Sequence, residues 1–169
     1  IYIYIMNIDG TGQRSLTDNP ANDVSASWSP DGKQLAFMAF LNGAFAIQIM
    51  NADGTNKRTL TDEGWFPMWS PDGSQITYNS HNDTYIIDVN GSEPEKIAVG
   101  ASYPTWSPSG TRIAYQSRID GNQDIYIMNS DGSVPVKITT TAFGDLIDPR
   151  WSPDGSKFVY AYLPNGSQF

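Results

Sequence analysis

Apolar and polar residues alternate in short runs along the whole chain. One set of runs places large apolar residues two positions apart, at Leu35/Phe37, Ile76/Tyr78, Ile113/Tyr115 and Phe158/Tyr160. A second set follows the same rule, at Ile3/Ile5, Ile47/Ile49, Tyr85/Ile87 and Ile125/Ile127. A period of two is the pattern of a β-strand, whereas an amphipathic helix would repeat at i, i+3 and i+4. The pattern therefore predicts an all-β chain.

Three short motifs recur in a fixed order between these strands. Trp-Ser-Pro-Asp-Gly occupies residues 28–32, 69–73 and 151–155, with a Trp-Ser-Pro-Ser-Gly variant at 106–110. Asn-x-Asp-Gly ends at Gly10, Gly54 and Gly132, with a weaker copy ending at Gly91. Leu-Thr or a similar pair closes each repeat at 16–17, 60–61, 97–98 and 138–139. A period of roughly 40 residues with this strand content predicts a β-propeller of four-stranded antiparallel blades.

The chemistry of the motifs supports turns at these positions. Pro30 fits the second position of a type I turn, and Gly32 tolerates a left-handed exit from it. The Asp-Gly pairs predict tight hairpins, which explains them better than calcium loops because the dense spacing of acidic calcium ligands is lacking. A Trp that recurs at one position of each blade is explained best as core between blades rather than as an exposed stacking platform.

The repeats divide the single domain, residues 1–169, into four blade equivalents. We expect half a blade at 1–17, whole blades at about 24–61, 65–98 and 102–139, and a second half blade at 148–163. The start in mid-repeat, without Met, favours an arc from a larger propeller in a longer protein. The alternative is a four-bladed ring in which the two halves pair as a clasp. An open arc would leave two blade faces exposed, which predicts self-association.

Composition limits the functional classes. The 169 residues carry a formal net charge of −8, which disfavours binding to nucleic acid. The chain has no Cys, which excludes disulfides and thiolate chemistry, although it does not fix the compartment. No apolar run approaches the roughly 18 residues of a membrane helix, and residues 1–6 lack the features of a signal peptide. We expect no membrane insertion.

Catalytic residues do not form a recognisable set in this sequence. His81 is the only histidine, and it stands in a predicted loop beside Asn82 and Asp83. There is no Gly-x-Ser-x-Gly elbow, and no spacing of His and carboxylates is typical of a metal site. Loop carboxylates from different blades could converge as a glycosidase pair, but nothing selects such a pair. We therefore expect no catalytic residue, no metal and no cofactor, and a hydrated His81.

Binding is the stronger hypothesis, and the non-repeating loops are its expected location. Loops that join the outer strand of one blade to the inner strand of the next, predicted at 18–23, 62–66, 99–103 and 140–148, should gather at one mouth of the central channel. We predict a partner-binding site from the acidic and aromatic residues there: Asp23, Asp62, Trp65, Phe66, Tyr103, Phe143, Asp145 and Asp148. Exposed aromatic rings among carboxylates suit a peptide, a basic protein segment or a sugar. Alternatively, Trp65 and Phe66 belong to the core between blades.

With Trp-Ser-Pro-Asp-Gly, Ile-Tyr-Ile-Met-Asn-x-Asp-Gly and Leu-Thr in this order, the sequence resembles the TolB-like β-propeller repeat family over essentially its whole length. The resemblance implies a non-enzymatic interaction module with a protein or peptide partner in the periplasm or outside a bacterial cell. The same repeat also builds the propellers of prolyl-oligopeptidase-like and tricorn-like peptidases and of oligogalacturonate lyase. The alternative is therefore a propeller domain that gates a catalytic site outside this chain.

Overall fold

The computed structural model describes residues 1–18, 22–139 and 145–164, and all regular elements in these ranges are β-strands. The sixteen strands are β1 (Tyr4–Ile5), β2 (Arg14–Ser15), β3 (Asp23–Trp28), β4 (Gln34–Leu41), β5 (Ala44–Asn51), β6 (Arg58–Thr61), β7 (Trp65–Trp69), β8 (Gln75–Ser80), β9 (Asp83–Asp88), β10 (Glu95–Ala98), β11 (Ala101–Trp106), β12 (Arg112–Ser117), β13 (Asp124–Asn129), β14 (Val136–Lys137), β15 (Asp145–Trp151) and β16 (Phe158–Leu163).

Three of the sheets have four strands, and each is a simple antiparallel meander. They consist of β3 to β6, β7 to β10 and β11 to β14, and each follows the previous one along the chain. Two-stranded sheets precede and follow them, β1 with β2 and β15 with β16. Strand β7 contacts β3, β4 and β5, and β11 and β15 contact the preceding sheet in the same way. The sheets therefore stack in chain order as propeller blades, and the prediction of an all-β propeller is confirmed.

The core lies between successive sheets, because apolar side chains leave both faces of each sheet. Ile47 and Ile49 of β5 pack with Ile76 and Tyr78 of β8 in one such cluster. A second cluster joins the next two sheets and includes Ile113 of β12. Alternation along each strand sends neighbouring side chains to opposite faces, so both faces are covered in a stack of sheets.

The repeated Trp residues belong to this core. The Nε1–H of Trp69 donates to the carbonyl of Ser27 in the preceding sheet at 3.2 Å, and Trp151 donates to Thr105 at 3.1 Å. Trp69 and Trp106 are buried. Trp28 is 50% exposed, because the sheet before it contributes only β1 and β2. The interpretation of these side chains as core between sheets is confirmed for Trp69 and Trp106 and does not hold for Trp28 in this chain.

The turns follow the predicted chemistry at one end of the sheets, which we call the turn end. In the first Ser-Pro-Asp-Gly turn the Gly32 N–H donates to the Ser29 carbonyl at 2.9 Å, and Gly32 has a φ of 69°. The Ser29 hydroxyl donates to Asp31 at 2.7 Å and accepts from the Gln34 N–H at 2.9 Å. The Asn-x-Asp-Gly hairpins lie at the same end. Connections between sheets and the β8–β9 hairpin lie at the opposite end, the mouth end.

Candidate functional site

Four of the five sheets contain an innermost strand, and each of these strands has a β-bulge at the equivalent position. The pairing register shifts there in β3, β7, β11 and β15. Each bulge contains a non-glycine residue with φ between 52° and 55°, three positions before the repeated Trp: Ser25, Phe66, Tyr103 and Asp148. A bulge bends a strand and redirects a side chain, and left-handed non-glycine residues are uncommon. Its recurrence makes the bulge part of the repeat.

The four bulges line one groove, which we call the central groove. Its volume is about 310 Å³, and Ser25, Phe66, Tyr103 and Asp148 all contribute to its wall. The rings of Phe66 and Tyr103 stack with their centroids 4.7 Å apart and their planes 26° apart. Asp148 pairs with Arg150 across 2.9 Å, and both side chains are about half exposed. The groove therefore combines an aromatic surface with an accessible ion pair.

A second cavity adjoins the aromatic pair on the mouth side, and we call it the mouth pocket. Its volume is about 300 Å³, and its wall contains Trp65, Asn79 and His81 together with Phe66 and Tyr103. The same two stacked rings, Phe66 and Tyr103, therefore form part of the wall of both cavities.

Amide side chains of one sheet fix the bulge of the next. The Oδ1 of Asn79 accepts the Tyr103 N–H at 2.9 Å, and its Nδ2 donates to the Ala101 carbonyl at 3.0 Å. Gln116 accepts the Asp148 N–H at 3.0 Å. Sequence reasoning missed both amides. The available signal was a polar residue directly after Tyr78 and after Tyr115, inside strands that are otherwise buried.

The structure brings some of the predicted site residues together and separates others. Phe66, Tyr103 and Asp148 meet at the central groove. Trp65 lines the mouth pocket while it also packs against the core, so part of the core alternative holds for this residue. Asp62 is exposed in the connection between β6 and β7.

Two expectations about these residues require correction. The side chain of Asp23 is fully buried at the start of β3, so it does not line the channel mouth; its burial raises the pKa of its carboxyl group. The residues expected in loops, Trp65, Phe66, Tyr103 and Asp148, lie within innermost strands, because the strands begin earlier than the sequence pattern indicates. Asp145 also lies in β15, but its side chain and Phe143 fall outside the described residues.

His81 lies in the hairpin between β8 and β9, where it and Asn82 both have positive φ. Its Nε2 is 3.3 Å from a Glu63 carboxylate oxygen, and its Nδ1 is 2.9 Å from the Ser80 hydroxyl. The His81 side chain is 72% exposed, which matches the expected hydrated loop residue. Within the described ranges, no group of three or more His, Cys, Asp or Glu side chains is arranged to hold a metal ion.

Two carboxylates at the mouth end have a structural role. Lys137 Nζ is 2.6 Å from the fully buried Asp124 carboxylate, and Lys96 Nζ is 2.6 Å from that of Asp83. The Lys96 ammonium and the Gly100 N–H both bond to Asp83 and lower its pKa. Because each pair joins the third strand of a sheet to its outer strand, these acids are occupied and are not available to a ligand.

Comparison with known proteins identifies the fold family. Residues 39–168 match the family model described as the TolB beta propeller domain. The chain belongs to this family. It is 32% identical to an uncharacterised protein of Agrobacterium fabrum, with 96% of this chain and 62% of that protein covered. It is 27% identical to the Tol-Pal system protein TolB of Francisella tularensis, with 94% of this chain and 39% of that protein covered.

Solved structures show the same fold. TolB from Acinetobacter baumannii superposes with a TM-score of 0.82 at 21% identity, over 97% of this chain and 43% of that one. A puromycin-hydrolyzing peptidase of Mycobacterium tuberculosis superposes with a TM-score of 0.75 at 16% identity, over 96% and 32% respectively. The chain thus spans less than two thirds of the length of these relatives. No helix in the described ranges is long and apolar enough to cross a membrane.

Proposed function

We propose that this propeller chain is a non-catalytic interaction module that binds a protein or peptide segment at the central groove, in the periplasm or outside a bacterial cell. The observation that carries the proposal is the convergence of four bulged strands on one groove, where Phe66 stacks on Tyr103 beside Asp148 and Arg150. The likeness to TolB proteins of the Tol-Pal system supports a protein partner and the periplasm.

The chemistry of the groove supports a peptide ligand. The two stacked aromatic rings offer a large contact area, and because they are already held against each other, little side-chain entropy is lost on binding. Asp148 and Arg150 offer a carboxylate and a guanidinium for hydrogen bonds to the backbone or side chains of a peptide. The side-chain amides of Asn79 and Gln116 hold the backbone of Tyr103 and Asp148 in place in the absence of a partner. The net charge of −8 favours encounter with a basic segment.

A displayed peptide library tests the proposal directly. Peptides selected on the immobilised chain should lose roughly 10-fold or more in affinity with Phe66→Ala and with Tyr103→Ala, measured by calorimetry, because aromatic anchors carry about 1–2 kcal/mol or more of binding energy. Ile8→Ala, which shortens an exposed side chain at the turn end, is the matched control and should leave the affinity unchanged.

Two outcomes would count against the proposal. Failure to enrich any peptide would contradict peptide binding itself. Enriched peptides that tolerate both aromatic variants but lose affinity with Ile8→Ala would place the site at the turn end instead of the groove.

A second candidate is a propeller domain of a larger peptidase. One observation favours it: a 45-residue segment is 33% identical to the dipeptidyl-peptidase 5 of Porphyromonas gingivalis, although this covers only 7% of that protein. The full-length gene product decides between them. A linked hydrolase domain with a Gly-x-Ser-x-Gly elbow would favour the peptidase, and its absence would favour the interaction module.

A further inference from the structure

The mouth pocket lies between two whole sheets in the middle of the chain. Its wall is formed by β7, β8 and the β8–β9 hairpin on one side, and by β11 of the next sheet on the other. Strand β7 also contacts β3 and β4 of the preceding sheet, and β11 also contacts β15 of the following one. Both walls therefore belong to sheets that have a neighbour on each face.

Aromatic side chains form the apolar part of this pocket. Trp65, Phe66 and Tyr103 contribute to a wall around about 300 Å³. Trp65 packs against the core, and Phe66 stacks on Tyr103 with the ring centroids 4.7 Å apart. The faces of aromatic rings carry partial negative charge, which attracts organic cations. Rings that are already packed also lose little side-chain entropy when a ligand binds.

The charges around the pocket favour a ligand of positive charge. The seven described residues of its wall include no Lys and no Arg. Lys96 is paired with Asp83 across 2.6 Å, and Arg150 of the adjoining central groove is paired with Asp148 across 2.9 Å. A negatively charged ligand would therefore find no unpaired Lys or Arg in this wall.

A carboxylate stands at the rim of the pocket. Glu63 precedes Trp65 by two residues, and its carboxylate oxygen lies 3.3 Å from Nε2 of His81, which belongs to the wall. The Glu63 side chain is 50% exposed, so a ligand in the pocket can reach it. Asp62, the preceding residue, is exposed as well. The rim thus offers negative charge beside the aromatic rings.

Gly64 fixes the position of this carboxylate relative to the rings. Its N–H donates to the Phe45 carbonyl of the preceding sheet at 2.8 Å. A Cβ at Gly64 would lie 2.7 Å from a side-chain carbon of Ile47, so the backbone passes too close to the core for a larger residue. Glu63 and Trp65 are therefore held on either side of an anchored residue, before any ligand binds.

We propose that the mouth pocket binds an alkylammonium group, with the cation against the aromatic wall and Glu63 as its counter-ion. The group belongs either to a free quaternary ammonium compound or to the Lys side chain of a protein segment. Only the second source rests on the function proposed above, since such a segment would continue from the central groove, whose wall shares Phe66 and Tyr103. The net charge of −8 favours a cation from either source.

Calorimetry with small ligands tests the requirement for positive charge. The two cations are choline and Nα-acetyl-lysine methylamide. Each has a neutral control, which is the choline isostere with a tert-butyl group in place of trimethylammonium, or Nα-acetyl-norleucine methylamide. We expect a Kd in the millimolar range for at least one cation, and binding weaker by about 10-fold or more for its neutral control. Binding of choline identifies a free ligand, and binding of the lysine derivative alone identifies a protein segment.

Variants of the chain test the location of the site. Glu63→Gln should weaken cation binding about 3-fold or more. Glu95→Gln, which removes an exposed carboxylate from the outer strand β10, is the matched control with the same change in net charge and should have no effect. Trp65→Leu should weaken binding about 5-fold or more, and Trp65→Phe should restore part of the loss, with the fold of each variant checked by its melting temperature.

Three results would overturn the proposal. Equal binding of a cation and its neutral control would mean that the pocket accepts any apolar group. Equal losses with Glu63→Gln and Glu95→Gln would mean that overall charge, rather than Glu63, attracts the cation. Failure of both cations to bind would exclude the site. Since Glu63 and Trp65 do not line the central groove, that failure would leave peptide binding there to its own test.

Discussion

The turn end and the mouth end of the sheets repeat in different ways. At the turn end both backbone and side chains repeat. The Ser29–Asp31 hydrogen bond, 2.7 Å, has counterparts of 2.6 Å at Ser70–Asp72 and 2.5 Å at Ser152–Asp154. The same hydrogen bond in three of the four turns is what a scaffold requires, because each turn packs against the turns of the neighbouring sheets.

At the bulges of the innermost strands the backbone repeats, but the side chain does not. The left-handed bulge recurs in all four innermost strands, but its residue is Ser25, Phe66, Tyr103 or Asp148. The bulge thus provides one position per sheet where the side chain can change without disturbing the stack. This contrast predicts that substitutions at the turn end affect stability, whereas those at the bulges affect binding.

The largest expected effect concerns the repeated Trp. Trp69→Ala should lower the free energy of unfolding by about 3–5 kcal/mol, because it leaves a cavity between two sheets and an unpaired Ser27 carbonyl. Trp28→Ala is the control at the same position of the repeat. Its side chain is half exposed, so its cost should stay below about 1 kcal/mol in urea denaturation.

Equal losses for the two variants would contradict this account of the Trp residues. They would mean that the Trp28 side chain is covered in solution, in contrast to its half exposure here.

A smaller effect is expected at the Asn-x-Asp-Gly hairpins. Gly132 has a φ of 82°, and a Cβ there would lie 2.8 Å from the Ile97 carbonyl oxygen of the preceding sheet. Gly132→Ala should therefore cost about 2–4 kcal/mol, from left-handed strain together with overpacking. At the equivalent Gly91, with a φ of 87°, the nearest atom is 4.0 Å away on a flexible Arg58 side chain.

The control Gly91→Ala should cost only the conformational strain, about 1–2 kcal/mol. The difference between the two variants, measured by urea denaturation, isolates the contact between sheets. If both glycines gave the same loss, the hairpins would contribute only their own turn conformation, and the close approach to Ile97 would not constrain the stack.

Local periodicity explains how much of this molecule could be predicted from its sequence. Alternation, the Ser-Pro-Asp-Gly turn and the spacing of Trp are local signals, and each of them specified the sheets correctly. The bulges were not predictable in this way, and the contacts that hold two of them, Asn79 with Tyr103 and Gln116 with Asp148, join residues of different sheets. The burial of Asp23 was not predicted either, because an acidic residue next to a loop is usually exposed.

The candidate site was therefore predicted in part. Phe66, Tyr103 and Asp148 are non-repeating residues near a connection between sheets. This property can be read from the sequence without knowing whether the residues lie in a loop or in a bulged strand. Their arrangement round a common groove follows from equivalent bulges in neighbouring sheets, which no single repeat reveals. Non-repeating side chains on a repeating backbone are thus the useful signal for sites in such chains.

The smallest effect is expected from a substitution that restores the Trp-Ser-Pro-Asp-Gly motif at its one variant position. Ser109 replaces the Asp of the turn, and its hydroxyl lies 3.2 Å from Ser107 Oγ, longer than the bonds that Asp31, Asp72 and Asp154 accept. Ser109→Asp should add an ionised acceptor for the Ser107 hydroxyl and raise the melting temperature by on the order of 1–2 °C at pH 7.

The gain should depend on pH in a direction that the existing turns define. Hydrogen bonds from Ser152 and Ser156 lower the pKa of Asp154 from 3.8 to about 2. A carboxyl group whose pKa is lower in the folded state stabilises the fold above its unfolded pKa, and this contribution is lost as the pH falls through the folded value. The difference in melting temperature between Ser109→Asp and the unmodified chain should therefore be constant from pH 7 to about 5 and shrink below about 4.

Ser109→Asn, which offers an uncharged acceptor, is the control whose effect should not vary with pH. A gain that persists unchanged at pH 3 would mean that the Asp stabilises the turn through its conformational preference rather than through its charge.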